Sequence, residues 1–224
     1  MATNALLAKL NAARERFERA RDTAQQVNRA ESWAELRAAE EDLFDFERDV
    51  ALADGLECAQ RCGDIPAWNR GAPVPTILSG SGGVVLVYAA KDDADPKWDG
   101  GSVRAAGSTS PGVVVLRFER VLALRSGSPH DEVLAGHHLH GKGLGPYRAH
   151  TVVNSSWITK LRQMNAVHPQ YSPHAWDSCV HYLLTFHDET FECVADACRA
   201  EVKQVSVADA ARSALELVLA SQTG

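Results

Sequence analysis

The apolar residues of this chain change period part-way along, and that change limits what it can fold into. Leu6, Leu10, Ala13, Phe17, Ala20, Ala24 and Val27 recur at three- and four-residue steps, with Arg and Glu between them. That is the stripe of an amphipathic helix over residues 4–30. A second stripe, Leu36, Leu43, Phe46 and Val50, runs on towards Leu56, with Gly63 as its stop. Ser32-Trp33-Ala34-Glu35 has the form of a capping box opening it. Two long helices with a short join make an antiparallel hairpin.

Beyond Gly63 the pattern is different. Pro66, Gly71, Pro73 and Pro75 forbid regular structure over 64–75, where Trp68 is expected to anchor the linker. Thr76–Leu78 and Val84–Ala90 flank the turn Gly80-Ser81-Gly82-Gly83 and read as a β-hairpin. Lys91–Pro111 is polar and reads as an exposed loop. Gly112–Arg125 reads as one long strand, with Val114, Leu116, Phe118, Leu122 and Leu124 on one face and Arg120 breaking it. Ser155 or Ser156 can cap a short helix containing Trp157, Ile158, Leu161 and Met164. A last hairpin sets Tyr182, Leu184 and Phe186 against Phe191, Cys193 and Ala195. Val205–Ala220 closes the chain as a helix with Leu215, Val218 and Leu219 on its apolar side.

This order of elements implies an α+β fold. A helical hairpin (1–63) and a Pro/Gly linker (64–75) precede an α+β domain (76–224). In that domain a mostly antiparallel, half-open or sandwich-like sheet carries a short helix and a C-terminal helix. The net charge of −6 and pI near 5.8 argue against an extended nucleic-acid footprint. Five cysteines, an odd number, are unlike a disulfide framework. No stretch resembles a secretory core or a membrane span. A cytoplasmic protein, without membrane or nucleic-acid partners, is the expectation.

Chemistry concentrates in Gly127–Trp157, which holds five of the nine histidines, His130, His137, His138, His140 and His150, beside Asp131 and Glu132. Gly136-HHLH-Gly141-Lys142 has phosphate-loop spacing, but Gly143 stands where Ser or Thr should hold magnesium, and Gly145-Pro146 prevents the helix that must follow. Metal binding suits the residues better. On an extended segment His138 and His140 point to one side, and Asp131 or His187 offers a third zinc ligand. Glu132 or Glu189 is then the general base of a metal-dependent hydrolase. The HExxH and CxxC spacings are absent, and Cys58-x-x-x-Cys62 fits one face of a helix better than a zinc knuckle. Cys193 falls on the core side of its strand, Cys179 lies two residues from His181, and no orienting group marks either as a nucleophile.

The reading that follows is a soluble interaction module. Its helical hairpin, through Leu36, Leu43 and Phe46, mediates self-association or attachment to a protein partner. The alternatives are a zinc-type hydrolase using residues 130–150 and a small-ligand receptor with a pocket under the Gly136–Tyr147 loop.

Overall fold

The structure, a computed structural model, describes residues 1–68, 74–81, 83–91 and 112–220. The N-terminal hairpin consists of α1 (Asn4–Val27) and α2 (Ala30–Ala53). Thr3 caps α1 by accepting the Leu6 amide at 3.3 Å, and Asn28, in the left-handed region, ends it. Ser32 lies inside α2 rather than at its cap, and its hydroxyl accepts the Arg29 amide at 3.2 Å. Glu35 is then free to bind Arg16 across the hairpin, at 2.8 Å. Leu10, Ala13 and Leu43 form the hairpin's core with Phe17, Phe46 and Val50. α2 stops at Ala53, short of Leu56, because Gly55 turns the chain at φ +68°. Cys58 therefore falls on a strand, β1 (Cys58–Arg61), and the two thiols do not share a helical face.

The remaining strands are β2 (Thr76–Gly80), β3 (Gly83–Ala89), β4 (Val113–Glu119), β5 (Ala123–Gly127), β6 (Ala149–Val153), β7 (Val180–Thr185), β8 (Thr190–Ala195) and β9 (Ala197–Lys203). Every pairing is antiparallel, in two sheets. The first, sheet A, has the order β1-β6-β7-β8-β5, and sheet B the order β2-β3-β4-β9. Alternation along each strand sends one set of side chains between the sheets. Val84, Leu86, Tyr88, Val114, Leu116 and Phe118 from sheet B meet Tyr182, Leu184, Phe191 and Cys193 from sheet A, with Phe186 beside them. Trp68 is buried here and stacks on Phe186 at 4.4 Å. Each fully buried phenylalanine stabilises the fold by about 2–3 kcal/mol. The sequence predicts Tyr182 and Leu184 facing Cys193 and Phe191, and those are the register partners.

The stretch from Gly112 to Arg125 is not one strand. It leaves sheet B after Glu119 and enters sheet A at Ala123, with Arg120 at φ +49° as the corner. Asp196 makes the reverse crossing between β8 and β9, donating its amide to the Glu119 carbonyl at 3.0 Å. The two corners are clamped: Arg120 Nε lies 2.5 Å from Asp196 Oδ2, and Arg120 also reaches the Ala175 carbonyl at 3.0 Å. A period-two pattern cannot distinguish a strand that continues from one that changes sheets.

Each sheet also has an outer face. On sheet B, α4 (Val207–Ala220) lays Ala210, Ala214 and Val218 over Val85, Val87, Val113 and Val115. Val218 is the expected contact, but Leu215 and Leu219 are exposed and alanines take their place. Small side chains bring the helix close to the sheet. On sheet A, Leu134, Leu139 and Leu144 from the histidine-rich segment cover Ala59, Val152 and Leu183. That segment docks tightly. A Cβ on Gly143, at φ +88°, would lie 2.4 Å from the Ala59 carbonyl oxygen and 2.8 Å from Arg48 Cβ. α2 closes the far side, with Arg148 between Glu41, at 2.5 Å, and Glu40, at 3.1 Å. Residues 92–111, most of the loop expected at 91–111, lie outside the described residues, as do 69–73 of the linker and Gly82 of the first turn. No described helix is long and apolar enough to cross a membrane.

Candidate active site

The other half of sheet A's outer face is polar and buried. After β6, Asn154, at φ +55°, makes a tight turn that delivers Ser155 to the start of α3 (Ser156–Asn165). Ser155 Oγ accepts the Ile158 amide at 3.1 Å, an N-cap bond, and lies 2.9 Å from His181 Nδ1. His181 Nε2 lies 2.8 Å from Glu192 Oε2. Arg125 grips Glu192 with both arms, Nε at 2.7 Å and Nη2 at 2.6 Å. His137 Nε2 is 3.9 Å from Glu192 Oε1. The three members of the chain are buried: Ser155 is 7%, His181 1% and Glu192 5% exposed.

Strand register explains the convergence. Arg125 stands opposite Glu192 on β5 and β8, while His181 and Glu192 both project outward, as diagonal neighbours two residues apart in register across β7 and β8. Trp157, from the first turn of α3, meets the His181 ring edge-on at 5.1 Å, and the Arg125 guanidinium lies over Trp157 at 4.6 Å. Burial alone would raise the Glu192 carboxyl, but the nearby His137 and the hydrogen bonds to His181 and Arg125 take it far below the usual carboxylate range. It remains an anion across the physiological range.

Next to Ser155 lies a second carboxylate. Glu57 accepts the Ser156 amide at 2.8 Å and the Ser156 hydroxyl at 2.9 Å, and lies 3.3 Å from His138 Nε2. Burial, then the neighbouring His137, lower the His138 pKa.

The predicted metal ligands are dispersed. The segment holding His138 and His140 is a run of turns, so the two imidazoles do not share a side. His138 faces Glu57, whereas His140 is exposed and acts on Glu47 of α2. Asp131 and His187 do meet, Oδ2 to Nδ1 at 2.9 Å, so the two His-Asp-Glu triplets come together in space. The Tyr147 hydroxyl donates a short hydrogen bond to Asp131 and lies 3.1 Å from His187 Nδ1. Burial opposes ionisation of Asp131, but Tyr147 and His187 outweigh it and lower its pKa. Glu132 is exposed, and Glu189 is half-buried, with the Ser126 hydroxyl donating to it at 3.3 Å. Among the described residues no three His, Cys, Asp or Glu side chains converge as metal ligands do. Cys193 is fully buried, and burial pushes its thiol up to about 12. Cys179 turns to the Ala175 carbonyl and Asp196, both at 3.8 Å, and not to His181.

No known protein family, curated protein or solved structure matches this chain. The geometry therefore carries the functional argument alone. A hydroxyl, an imidazole and an ionised carboxylate in series can move a proton off the hydroxyl and stabilise the imidazolium that results. In the sequence Ser155 reads first as a helix cap and His181 as a neighbour of Cys179, and neither reads as part of a triad. The signal passed over is Glu192, a carboxylate between Phe191 and Cys193 in a strand buried on both faces.

Proposed function

We propose that this protein is a hydrolase of the acyl-transfer class, with Ser155 as nucleophile, His181 as base and Glu192 as the carboxylate that orients the base. The observation that carries this reading is the unbroken series Ser155 Oγ–His181–Glu192 at 2.9 and 2.8 Å. With Nε2–H donating to Glu192, Nδ1 presents its lone pair to the Ser155 hydroxyl. Attack forms a bond from Ser155 Oγ to the acyl carbon while the proton passes to Nδ1. The imidazolium, facing Glu192, returns that proton to the leaving group, and water then repeats the sequence to release the acid. The two nitrogens exchange the roles they have in the best-known serine triads, where Nε2 faces the serine. The half-exposed Arg125 and the ring of Trp157 border the site and favour an acyl group with flat or apolar character.

The test is hydrolysis of short p-nitrophenyl esters. Ser155→Ala should lower kcat by about a thousandfold or more. Turnover by the variant equal to wild type would remove Ser155 from the chemistry.

A second reading keeps the helical hairpin as a partner-binding or self-associating arm. In its favour, α1 packs on α2 and leaves Leu7 and Val27 exposed. Leu43 belongs to the hairpin's own core, Phe46 packs against that core and Leu36 is half-buried, so the contact surface is better sought on α1. A change of oligomeric mass on Leu7→Glu with Val27→Glu would support it.

A further inference from the structure

Glu57 stands where an enzyme of this kind would place its substrate's oxygen. The amide it accepts from, Ser156 N–H, belongs to the residue directly after the nucleophile. In acyl transfer that amide is a standard donor to the oxyanion, because the turn that exposes the nucleophile also aims the next N–H at the reacting carbonyl. One Glu57 oxygen lies 2.8 Å from this nitrogen and the other 2.9 Å from Ser156 Oγ, with His138 Nε2 at 3.3 Å. A carboxylate so placed has the position of the acid product that hydrolysis would release beside Ser155.

Its placement is built into the fold. β1 pairs with β6 in the register Cys58 to Val153, so Glu57 faces the Asn154–Ser155 turn. Asn154 Nδ2 donates to the Leu56 carbonyl at 3.1 Å and ties the two segments together. Helix capping alone does not call for Glu57, since Ser155 already caps α3 through Ile158. The Glu57 side chain is only 13% exposed, and Ser155 beside it is 7% exposed.

Resting on the Ser155 reading, we infer that Glu57 is an internal occluding carboxylate: it holds the site closed as a mimic of the product acid, and must leave Ser156 N–H before an acyl carbonyl can enter. Two properties follow. Removing Glu57 opens the site to electrophiles. The opened site accepts a small free carboxylate in its place.

The experiment compares wild type, Glu57→Ala, Glu57→Gln and Glu57→Ala/Ser155→Ala in their reaction with an alkyl phosphonofluoridate. In this reaction Ser155 Oγ bonds to phosphorus, fluoride leaves and the hydroxyl proton goes to His181 Nδ1. Adducts are located by peptide mass mapping, and circular dichroism confirms that each variant is folded. Glu57→Ala should label at Ser155 about tenfold or more faster than wild type, with Glu57→Gln between them, since it keeps an acceptor but loses the charge. Acetate should slow labelling of Glu57→Ala and leave wild type unaffected, a competition that mere loosening of α3 does not produce. Equal rates at Ser155 in wild type and Glu57→Ala would overturn the occlusion and leave the Ser155 reading standing. Faster labelling without acetate competition would also overturn it. No Ser155 adduct in any folded variant would overturn both.

Discussion

The outer faces of the two sheets solve the same problem in opposite ways. Sheet B hides its outer face under one helix, with Val85, Val87, Val113 and Val115 against Ala210, Ala214 and Val218. Among the described residues nothing polar is buried in that contact. Sheet A covers part of its outer face with leucines and gives the rest to Ser155, His181, Glu192, His137 and Arg125. A buried ionic network is weak evidence for stability, because desolvation of the charges offsets their attraction. Sheet B demonstrates that this fold can close a sheet with apolar side chains alone. The polar half of sheet A is therefore best explained by chemistry.

The largest test of that contrast places a charge where sheet B has none. Val87 is fully buried under α4, so Val87→Asp strands a carboxylate there. Urea denaturation should show a loss of about 4 kcal/mol or more, or no folded protein. Glu192 is tolerated at the equivalent depth on sheet A because its donors are in place. Removing one exposes the dependence: Arg125→Met should cost about 2–3 kcal/mol, below the range for a fully buried pair because Arg125 is half-exposed. A loss under about 0.5 kcal/mol would mean that the Arg125 contact is an ordinary surface ion pair.

A difference in pH response should also separate the faces. His150, on the outer face of sheet A, is fully buried, and burial, with Arg148 adding to it, lowers its pKa to about 3. The unfolded chain takes up a proton near the ordinary imidazole pKa of about 6.5, and the folded chain does not until about 3. Between those values the unfolded state binds more protons, so stability falls as pH falls, by about 1.4 kcal/mol per unit for this group. Denaturation at pH 7 and pH 5 should differ by about 2 kcal/mol on this account, and His150→Asn should flatten the slope. Asp131 and Glu192 act in a lower window. Their folded pKa values are depressed, so their contribution is complete above the usual carboxylate range and is lost only as pH drops below it. The smallest effect belongs to the clamp the sheets share. Arg120→Ala should shift the urea midpoint least of these substitutions, since the Arg120 side chain is half-exposed and water screens its pair with Asp196.

The α+β order, the helical hairpin, the last β-hairpin and the Ser155 cap were legible because each depends on local periodicity or local capping. The Arg120 crossing was not, since Leu122 and Leu124 continue the alternation of β4 after the chain has changed sheets. β1 and β9 escaped for a related reason: Cys58–Arg61 is four residues long, and Ala197–Lys203 is a mostly exposed edge strand whose apolar residues are small. The active-site candidate draws on β5, β7, β8 and the turn before α3, and its members come together only through register. The histidine cluster that dominates the sequence mostly serves other ends. His138 meets Glu57, His130 lies 3.7 Å from Asp131, and His137 reaches the edge of the network.

The most direct test of the central claim is a crystal structure of the protein after reaction with the phosphonofluoridate. The account predicts phosphorus bonded to Ser155 Oγ, the phosphoryl oxygen on Ser156 N–H, Glu57 turned out of that position and the His181–Glu192 contact kept. A structure with Ser155 unmodified under saturating reagent, its hydroxyl still serving only as the cap of α3, would contradict it.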